Sequence, residues 1–331
     1  MYYYPSPSVR YVPMRYKLGG LDFLQITNIE NREYAIISFD YGANLCSLCL
    51  QTPNNQLIEV IDGYRTPDEW ATHSGYKSSK LLPFPNRIKD GNYAFRGKTY
   101  QLPINRPKEN HAIHGFFYNQ KSRLIQYENV DDKMIVVTEG NYNGDIPGFP
   151  FPFTTMCTYE LSPHKLICRT AVSNDSPDTA MPLGDGWHPY FQLGNNTTIN
   201  DCYLQLPTSQ QYILDDRKLP TGETIENPHF QTLHRIGEQQ LDDTFGMLNP
   251  TQSNEAHTIL QAPDKTFKLV ISQQIGEKAY NFLQVYTPSH RRSIAIEPMT
   301  CTPNAFNNGI GLIVLEPKQK YVAQYSVGIE V

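Results

Sequence analysis

Four short segments of the 331-residue sequence combine aromatic, imidazole, carboxylate and amide side chains in settings that ordinary packing does not require. Each segment lies beside a glycine or a proline, where a strand is expected to give way to a loop. Catalytic and binding residues concentrate at such places, because loops on a rigid scaffold present side chains to a ligand. The segments are residues 83–88, 110–116, 184–191 and 296–300.

Glu297 has the chemistry of a general base. It follows the apolar run 294–296, and Pro298 then ends the run, so the carboxylate is expected at the rim of a sheet. Burial without a partner would raise the pKa of this carboxyl group toward neutrality, as a general base requires. An exposed glutamate at a strand end is the alternative, and the local sequence does not separate the two.

Two pairs of residues have spacings that suggest a metal or redox site. His111 and His114 are three positions apart, as are Cys46 and Cys49. In an extended chain such side chains point to opposite faces, so the members of each pair are predicted to diverge. The sequence also lacks a complete zinc motif, a nucleophile elbow, a phosphate loop and a dinucleotide fingerprint. We therefore predict structural thiols and no metal site.

The composition argues against several classes of partner. The net charge of -5 at pH 7 disfavours nucleic acid binding, which normally needs a basic surface. No stretch of about 18 apolar residues is present, and residues 1–20 lack the pattern of a signal peptide. We therefore expect a cytoplasmic protein without a membrane partner, either a monomer or a weak homodimer.

The elements that must position the candidate residues are predicted to be mostly β-strands. Short alternating runs recur between turn residues, and the last ten residues alternate as a half-buried antiparallel strand does. The convincing helix start is at residues 66–69, a capping box with proline at the first helical position. The polar stretch 208–254 is predicted to form long loops. No linker divides the chain, so residues 1–331 are expected to form a single, large antiparallel β-sandwich.

Taken in order, the candidate segments resemble the motifs of the aldose 1-epimerase (galactose mutarotase) family. They read Asn86-Arg87-Ile88, then His114-Gly115, then His188-Pro189-Tyr190-Phe191, and finally Glu297 followed by Asn304-Ala305. The resemblance extends over residues 20–330, nearly the whole chain. Each motif alone is weak, but the ordered set is specific.

This resemblance implies a twisted antiparallel β-supersandwich with an open cleft across one sheet. It implies that Glu297 is the general base, His188 the general acid and His114 a second active-site histidine. It also implies four residues that contact sugar hydroxyl groups: Asn86, Arg87, Asp242 and Gln284. Because Asp243 is adjacent to Asp242, the alignment leaves open which of the two aspartates contacts the sugar.

The activity that the resemblance implies is the interconversion of the α and β anomers of a free aldose, in carbohydrate metabolism. Glu297 would remove the proton of the C1 hydroxyl group, while protonated His188 supplies a proton to the ring oxygen. Both side chains have pKa values that their surroundings can bring toward neutral pH. The partner is then a small sugar, and no metal, nucleotide or other cofactor is needed.

Two other functions fit the same fold. A hexose-6-phosphate 1-epimerase would need cations for the phosphate, for which Arg87 and the Arg291-Arg292 pair are candidates. A non-catalytic carbohydrate-binding protein would need aromatic side chains and hydroxyl partners but no acid or base. The presence of all three catalytic candidates therefore argues against simple binding.

Three departures from the usual family sequence are expected to alter the walls of the cleft. Pro83-Phe84-Pro85 precedes the Asn-Arg-Ile motif, Phe116-Phe117 follows the His-Gly motif, and Trp187 places a large ring beside His188. The identity of the sugar is therefore left open.

Overall fold

The fold is built from β-strands, as described by a computed structural model that covers residues 10–195, 197–246 and 254–330. The first ten strands are β1 (Tyr11–Leu18), β2 (Leu21–Asn28), β3 (Tyr34–Ser38), β4 (Asn44–Gln51), β5 (Leu57–Glu59), β6 (Lys80–Leu81), β7 (Arg87–Lys89), β8 (Asn92–Phe95), β9 (Lys98–Gln101) and β10 (His111–Ile113). The next eight are β11 (Arg123–Val130), β12 (Lys133–Tyr142), β13 (Phe153–Ser162), β14 (Lys165–Asn174), β15 (Met181–Leu183), β16 (Gly186–Trp187), β17 (Tyr190–Phe191) and β18 (Tyr203–Gln205). The last ten are β19 (Gln210–Leu214), β20 (Pro220–Glu226), β21 (His234–Arg235), β22 (Asp242–Phe245), β23 (Glu255–Gln261), β24 (Lys268–Gln274), β25 (Phe282–Tyr286), β26 (Ile294–Met299), β27 (Ile313–Leu315) and β28 (Lys320–Glu330).

Helices are few and short. The described residues contain two α-helices, α1 (Pro67–Thr72) and α2 (Ala305–Asn308). Helix α1 begins with the predicted capping box, in which the Thr66 side chain accepts from the backbone N–H of Glu69 and the Glu69 side chain accepts from the backbone of Thr66. Within the described ranges, no helix has the length and apolar character needed to cross a membrane.

Three antiparallel sheets contain most of the strands. A five-stranded sheet has the order β1-β2-β3-β4-β5, and a nine-stranded sheet has the order β11-β12-β13-β14-β28-β24-β23-β18-β21. An eight-stranded sheet has the order β20-β19-β22-β25-β26-β16-β6, with β17 paired to β26 beside this path. The predicted all-β antiparallel sandwich is confirmed, and the C-terminal segment forms the alternating strand β28 in the middle of the largest sheet.

The prediction of long loops at residues 208–254 is wrong for the part that the structure describes. Strands β19, β20, β21 and β22 lie within it, and residues 247–253 lie outside the described residues. Strand β20 is at the edge of the eight-stranded sheet and is mostly exposed. An edge strand with solvent on its outer side carries polar residues, so it lacks the apolar alternation on which the prediction relied.

Trp187 packs between the eight-stranded and nine-stranded sheets. Its ring centroid lies 6.1 Å from that of Tyr159 on β13 and 5.7 Å from that of Tyr325 on β28. Its indole N–H donates to Thr170 Oγ1 on β14 at 3.2 Å. The apolar core formed in this way is continuous with that of the five-stranded sheet.

A fully buried ion pair lies beside this tryptophan. Lys80 on β6 and Asp185, which precedes β16, are hydrogen bonded and have no side-chain exposure. The hydroxyl groups of Tyr280 and Tyr321 donate to Asp185 Oδ2 at 2.8 and 3.1 Å. The Lys80 ammonium group also lies 4.4 Å from the centroid of the Trp187 ring. The pair therefore fixes the start of β16 against β6, directly before the candidate segment that contains His188.

Removing one partner of this pair is expected to destabilise the protein strongly. Lys80→Met leaves the Asp185 carboxylate buried without its counter-ion, which should lower the free energy of unfolding by about 3–5 kcal/mol. Urea denaturation measures this change, with Lys108→Met at an exposed lysine as the matched control. A loss smaller than about 1 kcal/mol, the usual size for a surface pair, would contradict the assignment of a buried, coupled pair.

Candidate active site

Glu297 lies in the middle of the eight-stranded sheet, on β26, and its side chain is buried with 2% exposure. It is opposite Gln284 on β25, which in turn is opposite Thr244 on β22, so these three side chains form a row on one face. Burial raises the pKa of the Glu297 carboxyl group well above its usual value, the Asp242 charge adds to this shift and the Arg87 charge opposes it. Glu297 Oε2 is buried and has no hydrogen-bond partner among the described residues.

His188 faces Glu297 from the segment that follows β16. Its Nε2 atom lies 3.4 Å from Glu297 Oε1. Backbone hydrogen bonds fix this segment. The N–H group of His188 donates to Ser79 O at 3.1 Å, and the carbonyl oxygen of His188 accepts from Ser78 N at 2.9 Å. The imidazole ring stacks on Tyr190, with ring centroids 5.0 Å apart. Burial lowers the pKa of His188 to about 3.

The lowered pKa of His188 disfavours the positively charged imidazole that the family resemblance implies. Burial favours the neutral imidazole and also favours a protonated Glu297 carboxyl group. With the proton on either atom, the pair has one proton and no net charge, and two coupled groups of this kind titrate as a unit. A buried position can therefore contain both side chains without an unbalanced charge.

His114 lies on the other side of His188, with their ring centroids 5.1 Å apart. Its Nδ1 atom accepts from the backbone N–H of Asn86 at 3.1 Å, so the neutral ring carries its hydrogen on Nε2. Burial lowers the pKa of His114 well below its usual value, and the charges of His188 and Arg87 act in the same direction. His114 is therefore a neutral hydrogen-bond donor at neutral pH.

Backbone geometry fixes the loop around His114. Asn86 and His114 have φ values of 54° and 62°, and His114 N donates to Asn86 O at 2.8 Å. Gly115 follows at φ 64°, and a Cβ atom there would lie 2.0 Å from the carbonyl oxygen of Leu82. Only glycine allows this close approach, which explains why the His-Gly pair turns sharply at the cavity.

Two arginines lie near these histidines. The Arg87 Nε atom donates to Glu109 Oε2 at 2.8 Å, and Arg106 Nε donates to Glu109 Oε1 at 3.2 Å. Arg87 also donates from Nη1 to Asn86 Oδ1 at 3.1 Å. One carboxylate therefore orients both guanidinium groups.

The structure distinguishes Asp242 from Asp243. Asp242 is opposite Tyr286, in the row next to that of Glu297, and Gln284 Nε2 donates to Asp242 Oδ1 at 3.1 Å. Asp243 is opposite Val285 and therefore points to the other face, where it accepts from Gln211 at 2.7 Å. Asp242 is the aspartate that lines the cavity beside Glu297.

All seven candidate residues line one cavity of about 230 Å³. Its other residues, which the sequence analysis did not assign to the site, are Gly75, Tyr76, Arg106, Ile113, Tyr190 and Tyr286. Two of them had a signal, since Tyr190 belongs to the His-Pro-Tyr-Phe motif and Tyr286 follows Gln284 at strand spacing. Tyr76 and Arg106 lie in loops without any motif, so the sequence alone did not indicate them.

The expected effect of the sequence departures on the cleft is wrong. Trp187 lies in the core between the sheets, because successive strand residues point to opposite faces and His188 takes the cavity side. Phe84 and Phe117 are also buried in the core, and Phe116 packs on Tyr142 and Phe149. None of these rings lines the cavity that contains Glu297.

The other candidate pairs lie away from this cavity. His111 accepts from the backbone N–H of Asp90 and does not line the cavity, so the predicted divergence from His114 is confirmed. Cys46 and Cys49 are free thiols and line a separate cavity, although the strand pattern predicts side chains on opposite faces. Cys46 is the extra residue of a β-bulge between β3 and β4, and a bulge shifts the alternation by one position. In the described part of the chain, no group of three or more His, Cys, Asp or Glu residues is placed to bind a metal ion.

Comparison with known proteins gives one consistent result. A family model described as aldose 1-epimerase matches residues 25–328. The uncharacterized protein YihR of Escherichia coli is 31% identical over 316 residues, which are 88% of this chain and 92% of YihR. An aldose 1-epimerase of Haemophilus influenzae is 27% identical over 202 residues, which are 60% of this chain and 57% of that protein.

A solved structure has the same fold. A galactose mutarotase-like protein from Clostridium acetobutylicum superposes with a TM-score of 0.85 at 22% identity, over 97% of this chain and 99% of that one. The family match extends over the motifs at residues 86–88, 114–115 and 188–191 and over Glu297. This chain therefore belongs to the aldose 1-epimerase family.

Proposed function

We propose that this protein is an aldose 1-epimerase, an isomerase that interconverts the α and β anomers of a free aldose. The observation that supports this proposal most strongly is the buried pair of His188 Nε2 and Glu297 Oε1, 3.4 Å apart. The pair faces a cavity whose other polar groups suit sugar hydroxyls. An acid and a base next to each other are what ring opening requires.

The reaction starts from the form of the pair in which His188 carries the proton and Glu297 the negative charge. Glu297 accepts the proton of the C1 hydroxyl group as the bond between C1 and the ring oxygen breaks, and His188 donates its proton to that oxygen. The products are the open-chain aldehyde, a protonated Glu297 and a neutral His188. Burial favours this neutral form, so it stabilises the pair at the open-chain stage.

Ring closure reverses these two transfers. Rotation about the C1–C2 bond of the aldehyde presents the other face of the carbonyl group. Protonated Glu297 then returns its proton to the carbonyl oxygen while His188 removes the proton of the attacking hydroxyl group. The pair regains its starting form, and the sugar leaves as the other anomer.

The remaining cavity residues position the sugar. The neutral His114 offers its Nε2–H as a donor beside His188, which would stabilise charge that develops on the ring side. Asn86, Arg87, Asp242 and Gln284 would bind hydroxyl groups. Gln284 is pre-oriented for this role, since its Oε1 atom accepts from Thr244 at 2.5 Å and its Nε2 atom donates to Asp242.

The charges of the cavity favour a free aldose over a hexose 6-phosphate. Arg87 and Arg106 line the cavity, but Glu109 accepts from both of them. Arg291 is engaged elsewhere, with Asn200 and two backbone carbonyls, and Arg292 does not line the cavity. The phosphate would therefore meet cations whose charge is already partly balanced.

The cytoplasmic location and the monomeric or weakly dimeric state remain predictions.

Replacing the proposed base is expected to abolish most of the catalysis. Glu297→Gln keeps the volume of the side chain but removes its ability to accept a proton, so kcat should fall by about 10²–10⁴-fold. Polarimetry of freshly dissolved α-glucose and α-galactose measures the rate, and Glu277→Gln at an exposed glutamate is the control. An unchanged rate in Glu297→Gln would reject the assigned base. If the wild-type protein accelerates no common aldose, free or phosphorylated, the enzymatic function itself is rejected.

The pH dependence of kcat/KM should follow the single proton of the pair. Below the His188 pKa of about 3, a second proton occupies the pair and Glu297 cannot act as a base. Above the raised pKa of Glu297, the pair loses its proton and His188 cannot act as an acid. We therefore expect a bell-shaped profile whose acid limb lies near pH 3 and whose alkaline limb lies well above the usual carboxyl range.

Polarimetry across this pH range, corrected for spontaneous mutarotation, tests the assignment. His188→Asn should remove the bell shape together with most of the activity. A bell-shaped profile that persists in this variant would reject His188 as the acid. An acid limb near pH about 4.3, as expected for an ordinary glutamate base, together with an alkaline limb near pH about 6.5, as expected for an ordinary histidine acid, would contradict the shifted pKa values of the pair.

A further inference from the structure

The residues of the candidate active site come from two different sheets. Strands β7 and β10 form a separate two-stranded sheet, with Arg87 at the start of β7 and His114 directly after β10. Asp242, Gln284 and Glu297 belong to the eight-stranded sheet. A sugar in the cavity would contact residues of both, so its binding depends on the position of one sheet relative to the other.

The turn between β19 and β20 reaches from the eight-stranded sheet to the two-stranded sheet. Arg217 Nη2 in this turn donates to Asp90 Oδ1 at 2.6 Å and to Glu109 O at 3.2 Å. Asp90 directly follows β7, and Glu109 lies two residues before β10. One guanidinium group therefore binds the chain beside both strands of the two-stranded sheet.

Lys218, the next residue of the turn, contacts the opposite wall of the cavity. Its Nζ atom lies 3.2 Å from Asp242 Oδ2, and the other oxygen, Asp242 Oδ1, accepts from Gln284 Nε2 at 3.1 Å. The Asp242 carboxylate is therefore held at both of its oxygens. Two adjacent residues of one turn thus contact the two walls of the candidate active site.

The backbone of this turn is fixed by local contacts. Asp215 Oδ1 accepts from the backbone N–H groups of Arg217 and Leu219, both at 2.9 Å, and Lys218 N donates to Asp215 O at 2.9 Å. The Leu219 side chain is buried with 4% exposure, although β20, which follows it, is mostly exposed. Arg217 and Lys218 are therefore presented by a turn that its own hydrogen bonds and an apolar side chain hold in place.

The contact of Arg217 reaches the cavity through Glu109. The Glu109 carboxylate accepts from Arg87 and Arg106, which both line the cavity, while Arg217 holds the Glu109 carbonyl group. An exposed ion pair such as Arg217 with Asp90 contributes little to stability by itself. We therefore expect its effect on the orientation of the sugar-binding side chains and not on the stability of the fold.

We propose that Arg217 and Lys218 are positioning residues, which clamp the two-stranded sheet to the eight-stranded sheet and so orient Arg87 and Asp242 toward the sugar. This inference rests on the proposed function. Neither Arg217 nor Lys218 lines the cavity that contains Glu297, so both act through other residues. Their loss should weaken the binding of the sugar and leave the proton transfers unchanged.

Polarimetry of the common aldose that the wild-type protein converts fastest tests this proposal. Arg217→Gln and Lys218→Met each remove one side of the clamp, and each should raise KM about fivefold with kcat within about twofold. Lys218→Arg keeps the cation and should restore KM to within about twofold of the wild type. Arg96→Gln is the control, because it removes an exposed arginine whose ion pair with Glu316 lies away from the cavity.

A double-mutant cycle tests whether Arg217 acts through the two-stranded sheet. Asp90→Asn should also raise KM, and the combination with Arg217→Gln should raise it by less than the product of the two single effects. Independent effects of the two substitutions would overturn the proposal, as would an unchanged KM in both Arg217→Gln and Lys218→Met. A fall in kcat that accompanies a fall in unfolding temperature would indicate a structural role only and would also overturn it.

Calorimetric titration of the same variants with glucose and galactose separates this proposal from the proposed function. If the wild-type protein binds a sugar without accelerating mutarotation, the proposed function fails, and binding about fivefold weaker in Arg217→Gln and Lys218→Met still supports the clamp. If the wild-type protein is active and neither variant changes KM, the activity stands and the clamp is rejected. A wild-type protein that neither binds nor converts any common aldose rejects both.

Discussion

The burial of Glu297 beside His188 is the constraint on which the site depends. A lone charge removed from water is very costly, and proteins tolerate it only when it is neutralised or paired. His188 Nε2 and Glu297 Oε1 lie 3.4 Å apart, and burial favours the neutral imidazole and the protonated carboxyl group, a form of the pair that has one proton and no net charge. In the proposed reaction, this pair would exchange its proton with the sugar as the ring opens and closes.

The register of the eight-stranded sheet decides which side chains reach this pair. Glu297, Gln284 and Thr244 are successive neighbours across three antiparallel strands, so they lie on one face by pairing alone. The residues that alternate with them, such as Ile296 and Val285, are fully buried on the other face. A shift of one residue in any of these strands would exchange the polar row for the apolar one.

The apolar side of the sheet has a polar interaction of its own. The Lys80–Asp185 pair and the Trp187 ring lie between the two large sheets, immediately before His188 in sequence. This arrangement joins the stability of the core to the position of the proposed acid.

The sequence by itself determined the all-β class, the helix cap at Thr66 and the ordered motifs of the family, because these depend on short-range patterns. It also indicated the seven candidate residues, although only Glu297 had a case independent of the resemblance. The tertiary structure decided what depends on contacts distant in the chain. It placed Asp242 rather than Asp243 at the cavity, Trp187 in the core, and Tyr76 and Arg106 in the wall. It also favours a neutral His188 where the resemblance implies a protonated one, because burial lowers the pKa of the imidazole and burial exists only once the sheets have packed.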